Sequence, residues 1–520
     1  MIDVFLLVFV LVTVGVAVAM NVHLLLYFQQ PEDSKFASSI CCKAIIVISL
    51  TLCWFVNILL PIDVRNSRPI PGILDMQLLW VITFITLASF LVLIVPGAMF
   101  YMEVEGDDMV RRKHRHVICN ITLTLFFVIC SVVISYPFLG HAAFPVVNYS
   151  CGSFLEADDH RPMGELGADL CSSGGGGHVE LKVGFDIYII AVLCFIGWFF
   201  FVIFGGIGLS AVPLDMILAF IDRPQPIDEV TYRNRRKDLG LASRNLLVKA
   251  EELQGRDSEA SCDKGWSKAK SKRQIKTEYN KFKRDVHLLE QEFERMKLSK
   301  FHKGENLAVS IAKLLLGIIF ALLSIMWVLH VLLVIVLPKA DPSIDTGFLN
   351  EIFEAFEAPG LYPVGVALFA SFTLYLLLCV VKGCMKFGMR IFFVFSIHPM
   401  RHHGTPLNSI LFNVEMLLLC SAAVAQFAQS AFSDYARLTD ADVIFAAQIK
   451  YMAFYSWFFD NGVFIYLLLG WFLLTLIYLL CKPRDESDIK WDKKAGKKLA
   501  ILAGGTKGTK SPASMSAARA

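Results

Sequence analysis

Long apolar runs separated by shorter polar stretches set the pattern of this chain. Nine stretches qualify, roughly 3–28, 38–60, 77–102, 117–139, 183–220, 306–337, 363–381, 405–431 and 456–480. Each comes close to or exceeds the about 20 mostly apolar residues that a helix needs to cross a bilayer. None alternates with a period of two, and in lipid every backbone N–H and C=O must find a partner within its segment or its neighbours. The pattern therefore predicts an all-α integral membrane protein with nine transmembrane helices. Residues 1–221 hold the first five spans, 305–481 the last four, and 222–304 form one large polar insertion between them. Residues 140–182 make an outer loop, and 482–520 read as a disordered tail. A cleavable signal peptide is the competing reading of the first span, since Ala17-Val18-Ala19 resembles a cleavage site. Met1-Ile2-Asp3-Val4 lacks a basic leader, however, and the apolar run continues to Phe28, which favours a membrane span.

Composition agrees. Of 520 residues 56% are hydrophobic and 18% charged, and mean hydropathy is +0.57, against about 25% charged in a typical soluble domain. This excludes a disordered chain, a collagen-like fibre and an ordinary soluble enzyme. The formal net charge of +3 conceals an asymmetry along the chain. With the amino terminus outside, the inner segments carry 40 of the 49 Lys+Arg and the outer segments 7. The rule that basic residues stay on the cytosolic side then places the amino terminus outside or in a lumen and the carboxyl terminus in the cytosol.

Of the thirteen cysteines only Cys151 and Cys171 fall in an outer loop, and they share it. An oxidising compartment would let them pair, closing a 21-residue loop; two unpaired thiols are the alternative. Asn148-Tyr149-Ser150 in the same loop is an N-glycosylation acceptor. Cys41, Cys42 and Cys481 lie at inner membrane edges, where palmitoylation is one reading and an ordinary thiol the simpler one.

The insertion 222–304 holds 21 Lys/Arg and 14 Asp/Glu. Ile275, Tyr279, Phe282, Val286, Leu289, Phe293 and Met296 form a heptad seam. Leu239, Ala242, Leu246 and Leu253 form a weaker one, with Lys249 where an apolar residue would fit. Residues 254–270 read as a turn. The expectation is an antiparallel coiled-coil hairpin on the cytosolic side, its basic excess facing anionic lipid heads. Nucleic acid is a poor partner for a patch tethered at both ends and without aromatic platforms. Arg233-Asn234-Arg235-Arg236 resembles a retention signal, but topology alone already requires basic residues there.

Three places interrupt the apolar pattern. The fifth span contains Gly205, Gly206, Gly208 and Pro213. These predict a break near 204–213 and a short inner-surface helix from Leu214 to Phe220, with close packing on a glycine face as the alternative. Glu415 stands near mid-membrane, where a carboxylate costs roughly 2.5–3.5 kcal/mol on insertion scales. It marks either an ion or substrate route or a protonated carboxyl bonded to a neighbouring helix. With no obvious intramembrane Lys or Arg partner, the second reading weighs slightly more. Asp215 lies nearer a span end. His398, His402 and His403 cluster at an inner loop, but Pro399 and the lack of an adjacent acid or thiol argue against a metal site. No catalytic or phosphate-binding motif occurs, so no enzymatic activity, cofactor or metal is expected.

Several stretches carry a resemblance. Leu59-Leu60-Pro61-Ile62-Asp63-Val64, Val95-Pro96-Gly97-Ala98-Met99-Phe100-Tyr101, Phe204-Gly205-Gly206-Ile207-Gly208 with Val212-Pro213-Leu214, His398-Pro399-Met400 and Asn408-Ser409-Ile410-Leu411-Phe412-Asn413 are similar to the lipocalin-interacting membrane receptor (LIMR) family, also described as limb-region-like membrane proteins. The chain looks closer to the plant and protist type than to the lysosomal cobalamin-transport branch. The resemblance implies a multipass protein of the plasma membrane or the endosomal or lysosomal membrane. Its role would be ligand uptake, as a receptor for a lipocalin-type carrier or an escort in vitamin handling that works with a carrier or another membrane protein. It supplies no catalytic residues. Asp215 and Glu415 stand where the family pattern leads one to expect small, neutral or apolar residues.

Overall fold

The computed structural model describes residues 4–30, 38–67, 74–103, 110–151, 171–221, 227–262, 307–341, 346–357, 363–386, 390–391, 395–396, 400 and 405–481, with a helically spaced subset of 278–300. Among them, nine helices are long and apolar enough to cross a membrane, as the apolar pattern predicts. In chain order the first elements are α1 (Val4–Phe28), α2 (Ser38–Ser67), α3 (Met76–Ser89), α4 (Val95–Glu103) and α5 (Val110–Leu139), then strands β1 (His141–Cys151) and β2 (Cys171–Lys182). Next come α6 (Phe185–Ile221), α7 (Glu229–Cys262), α8 (Leu307–His330), α9 (Leu337–Ala340), α10 (Leu349–Ala355) and α11 (Pro363–Lys386). The short strands β3 (Arg390–Ile391) and β4 (Phe395–Ser396) precede α12 (Leu407–Ala431), α13 (Ser456–Asp460) and α14 (Val463–Cys481). Wider π-helical turns occupy Phe90–Ile94, Val331–Val336 and Asp442–Ile449, so α3 runs through one into α4 and α8 through another into α9.

Two compact units result. The first joins Met1–Val212 to Ala321–Leu476, the second Pro213–Phe320 to Ile477–Ala520. In the first, α12 is the central helix. Its run of small residues, Cys420-Ser421-Ala422-Ala423-Val424-Ala425, is buried throughout, and it packs on α2 and α11. An aromatic layer surrounds it, with Trp198, Phe201 and Trp327 each against Phe427 at 5.3–5.7 Å between ring centroids.

Contacts sort the ends of the spans into two faces. On one, Ala143 N–H donates to Tyr451 O at 2.8 Å and Ala453 N–H to His141 O at 2.9 Å, joining β1 to the segment before α13. On the other, Thr405 N–H donates to Phe28 O at 3.2 Å. The β1–β2 hairpin is an addition to the all-helical expectation. Its antiparallel register sets Phe144 opposite Val179 and Cys151 opposite Cys171, with an irregularity between Val147 and Tyr149 that contains Asn148.

In the second unit α7 runs on to Cys262, so no turn begins at residue 254. Glu252 and Arg256, a helical i,i+4 pair at 3.5 Å, bridge the expected start of that turn. Tyr232, Ala242, Leu246 and Leu253 form its buried face. Lys300 meets Glu229 at 3.0 Å and lies over the Tyr232 ring, while Arg256 meets Glu278 at 2.9 Å, so 278–300 runs opposite in direction to α7. Within the expected seam, Met296 is buried and Phe293 is 49% exposed, while Asp285, outside the seam, is buried. Ile275 and Tyr279 lie outside the described residues.

Candidate functional site

The expected break in the fifth span is absent: α6 is one helix from Phe185 to Ile221, and no separate helix begins at Leu214. Pro213 has no N–H to give the carbonyl four residues earlier, which is that of Leu209. Ser324 Oγ on α8 donates to that carbonyl at 2.7 Å and also meets Tyr375 Oη at 2.6 Å. A neighbouring hydroxyl thus takes the place of the missing helix donor, a repair that allows proline inside membrane helices.

The glycines serve close approach. A Cβ on Gly208 would collide with the Cys379 backbone, and one on Gly383 would collide with the Phe204 backbone, so α6 and α11 meet main chain to main chain at two reciprocal points. On Gly206 a Cβ would lie 2.7 Å from Trp471 Cβ and 3.1 Å from Leu468 O on α14. On Gly197 it would collide with the Leu419 carbonyl of α12. Gly205 instead faces the Phe201 ring, at 2.9 Å. Small residues that bring backbones together are the usual basis of helix association in lipid, where no hydrophobic force drives it. This places Gly206 and Gly208 in a packing seam, while Gly205 turns toward its own helix's Phe201. Beside it lies a shallow apolar gap of about 10 Å³, lined by side chains including Leu209, Val331, Leu376 and Leu468, so the packing is nearly closed.

The seam is completed by hydrogen bonds. Trp198 Nε1–H donates to Gln426 Oε1 at 2.8 Å, and Asn57 Nδ2–H to Cys53 O at 2.9 Å and Ser421 O at 3.4 Å. Glu415 sits half-buried on α12. Among the described residues it has no hydrogen-bond or ion-pair partner, so the expected bond to a neighbouring helix is not made by them. Asp215 is half-buried on α6, in the second unit. The side chains of Asn148, Cys151 and Cys171, and all of His398, His402 and His403, lie outside the described residues. Among the described residues no group of three or more His, Cys, Asp or Glu could hold a metal ion.

A second polar centre, not anticipated from sequence, closes the face that carries β1 and β2. Asp63 is fully buried on α2. It accepts Trp80 Nε1–H at 2.9 Å from α3, Ala441 N–H at 2.7 Å and Asp440 N–H at 3.3 Å. The carboxylate thus caps the helical start that leads into Asp442–Ile449, where unsatisfied N–H groups and the helix dipole favour negative charge. One turn on, Gln429 Nε2–H donates to Asp442 Oδ1 at 2.8 Å. Burial raises the carboxyls of both Asp440 and Asp442, with Asp75 adding to the rise at Asp440 and the Gln429 bond opposing it at Asp442. His330 Nε2 bonds Ala431 O at 2.8 Å at the end of α12, its ring stacked on Phe432 with centroids 4.4 Å apart. Tyr435 Oη–H donates to Glu357 at 2.6 Å, and Asn350 Nδ2–H to Asp434 at 3.1 Å. The available signal was a carboxylate at the end of an apolar run, two residues past Pro61.

Comparison with known proteins matches this sequence over nearly its whole length. A family model described as LMBR1-like membrane protein matches residues 2–288 and 258–481. A LIMR family protein of Dictyostelium discoideum is 30% identical over 519 residues, covering 94% of this chain and 99% of the relative. A LIMR family protein of Oryza sativa subsp. japonica is 30% identical, covering 88% of this chain and 92% of the relative. One of Arabidopsis thaliana is 29% identical, covering 85% and 89%. No solved structure matches.

Proposed function

Since the chain belongs to the LMBR1-like membrane protein family, we propose that it is a receptor-like or escort protein in ligand uptake, with no enzymatic activity of its own. It receives a carrier protein or ligand, of lipocalin or vitamin-handling type, on the face that carries β1 and β2. It passes that engagement to another membrane protein. It resides in the plasma membrane or an endosomal or lysosomal membrane, with the amino terminus outside and the insertion 222–304 in the cytosol against anionic lipid heads. The distribution of 40 and 7 basic residues supports that orientation. Cys151 and Cys171 form a disulfide and Asn148 carries a glycan, a pairing supported by their opposed register.

The observation that carries this reading is the main-chain contact of α6 with α11 at Gly208 and Gly383. It occupies the segment that a transport route through a broken helix would use. Purified protein in sealed liposomes should capture a carrier from a candidate panel at the glycosylated face and pass no solute or ion alone. Steady flux without any bound carrier would overturn the proposal. The half-buried Glu415 favours a second reading, a transporter or channel. That reading requires flux that falls with Glu415→Gln.

A further inference from the structure

Helix α7 has a second face that its packing leaves uncovered. Opposite buried Tyr232, Ala242, Leu246 and Leu253 lie Val230 and Val248, each 64% exposed, and Leu241 at 40%. At 100° per residue, Val230, Leu241 and Val248 fall within about 20° of one another, a single apolar row along the helix. Beside it runs a row of exposed Arg233, Lys237 and Arg244, with Arg236 beyond. Arg233 pairs with Glu229 yet keeps 77% of its side chain exposed. The other flank is polar to acidic, with exposed Asn234, Asp238 and Glu252.

We propose that this face is a docking surface for an anionic membrane, laying α7 along the bilayer that the neighbouring spans cross. Three observations choose that occupant. The row carries three cations over 233–244 and an acid, Glu251, only a further two turns on, so an anionic surface matches it better than a second copy of the same face. Apolar and basic residues share the stripe, so lipid can take the first into the interfacial zone and the second among its phosphates. The chain is also held close: α7 begins eight residues after α6 ends at Ile221, a reach of at most about 28 Å. Gly317 of α8 packs 3.1 Å from Met216 and Ile217 of α6, so both membrane helices that bound the insertion meet. The stripe from Val230 to Val248 is about 27 Å long. Basic residues act only within about 8–10 Å of a charged surface, so all four cations contribute only if the helix lies flat.

The inference deepens the assignment of 222–304 to lipid heads by naming the face that makes the contact. Nanodiscs offer both leaflets, so its failure leaves the receptor reading and the orientation untouched. The test is amide hydrogen exchange on the full-length protein in phosphatidylcholine nanodiscs with and without phosphatidylserine. Exchange across 230–248 should slow by about tenfold in the anionic discs, a gain that high salt removes. Replacing Arg233, Arg236, Lys237 and Arg244 by Gln should abolish the lipid dependence, while Tyr232→Phe on the buried face should preserve it. If the Gln variant does not fold, the lipid and salt dependence of the unaltered protein decides. Equal exchange in both lipids overturns the proposal. So does protection that appears only when an acidic helical peptide is added.

Discussion

Replacing Gly208 by Ala separates two opposite roles for the glycines of α6. Were they a hinge, alanine would firm the helix and stabilise the protein by about 0.5–1 kcal/mol. The contact with α11 predicts the reverse sign. The new Cβ falls on the Cys379 main chain, and no side-chain rotation relieves that overlap. One helix must move, and overpacking of this kind costs about 1–3 kcal/mol, with the upper end expected where both partners are backbone. The series is graded. Gly206→Ala meets Trp471 Cβ at 2.7 Å and should cost nearly as much, whereas Gly205→Ala meets the Phe201 ring, which can turn. That change should stay within about 1 kcal/mol of the unaltered protein. Gly240, with nothing within 4 Å of its Cβ position, is the internal control and should gain stability on change to Ala. The assay is thermal unfolding in mild detergent, followed by the fraction that still elutes as a folded monodisperse species. A Gly208→Ala protein as stable as the parent, or more so, would refute the reasoning.

Ser324→Ala should strand the Leu209 carbonyl beneath Pro213 and cost about 1–2 kcal/mol in the same melt, an effect that Pro213→Ala in the same chain should largely remove. Asp63→Ala leaves Trp80 Nε1–H and Ala441 N–H buried without an acceptor, and about 3–5 kcal/mol of stability should go with it; a loss below 1 kcal/mol, on the same scale, would mean the cap is replaced by water. The raised carboxyls of Asp440 and Asp442 bind their protons more tightly folded than unfolded. Their contribution is therefore full below the ordinary Asp value of about 3.9 and lost as pH rises through the folded values, so the melting temperature should fall over that range. Asp440→Asn with Asp442→Asn should flatten the decline, and an unchanged slope would contradict the burial argument. Non-reducing peptide mapping should recover Cys151 joined to Cys171, and Cys151→Ser should cost about 3 kcal/mol; recovery of both thiols free would remove the bridge from the proposal.

The spans were readable because lipid imposes one requirement on every residue they contain, and the apolar run records it directly. The same requirement explains why the fifth span was misread. In water Gly205, Gly206, Gly208 and Pro213 would weaken a helix. In a bundle the glycines open room for Cys379 and Trp471, and a hydroxyl 111 positions beyond Pro213 stands in for the missing bond. Neither partner is visible in the local sequence. Asp63 shows the same limit from the other side. Its charge was plain, but Trp80, Asp440 and Ala441 converge on it only through the fold. The weaker seam of α7 was legible at Ala242, Leu246 and Leu253, which are buried. The heptad count fails at Phe293, which is 49% exposed, and at Asp285, which lies outside the seam and is buried. A heptad count fixes a spacing, not which partner surface each position meets.

The Asp63 cap spans 378 positions from α2 to Ala441. A ribosome delivers the carboxylate early and its last two donors only after eight membrane helices have been made. Until then the nascent chain holds an acid whose final partners do not yet exist. A chain cut before Asp440 would therefore keep the Trp80 donor and lose both backbone donors, so the cap depends on residues from both halves of the helical bundle.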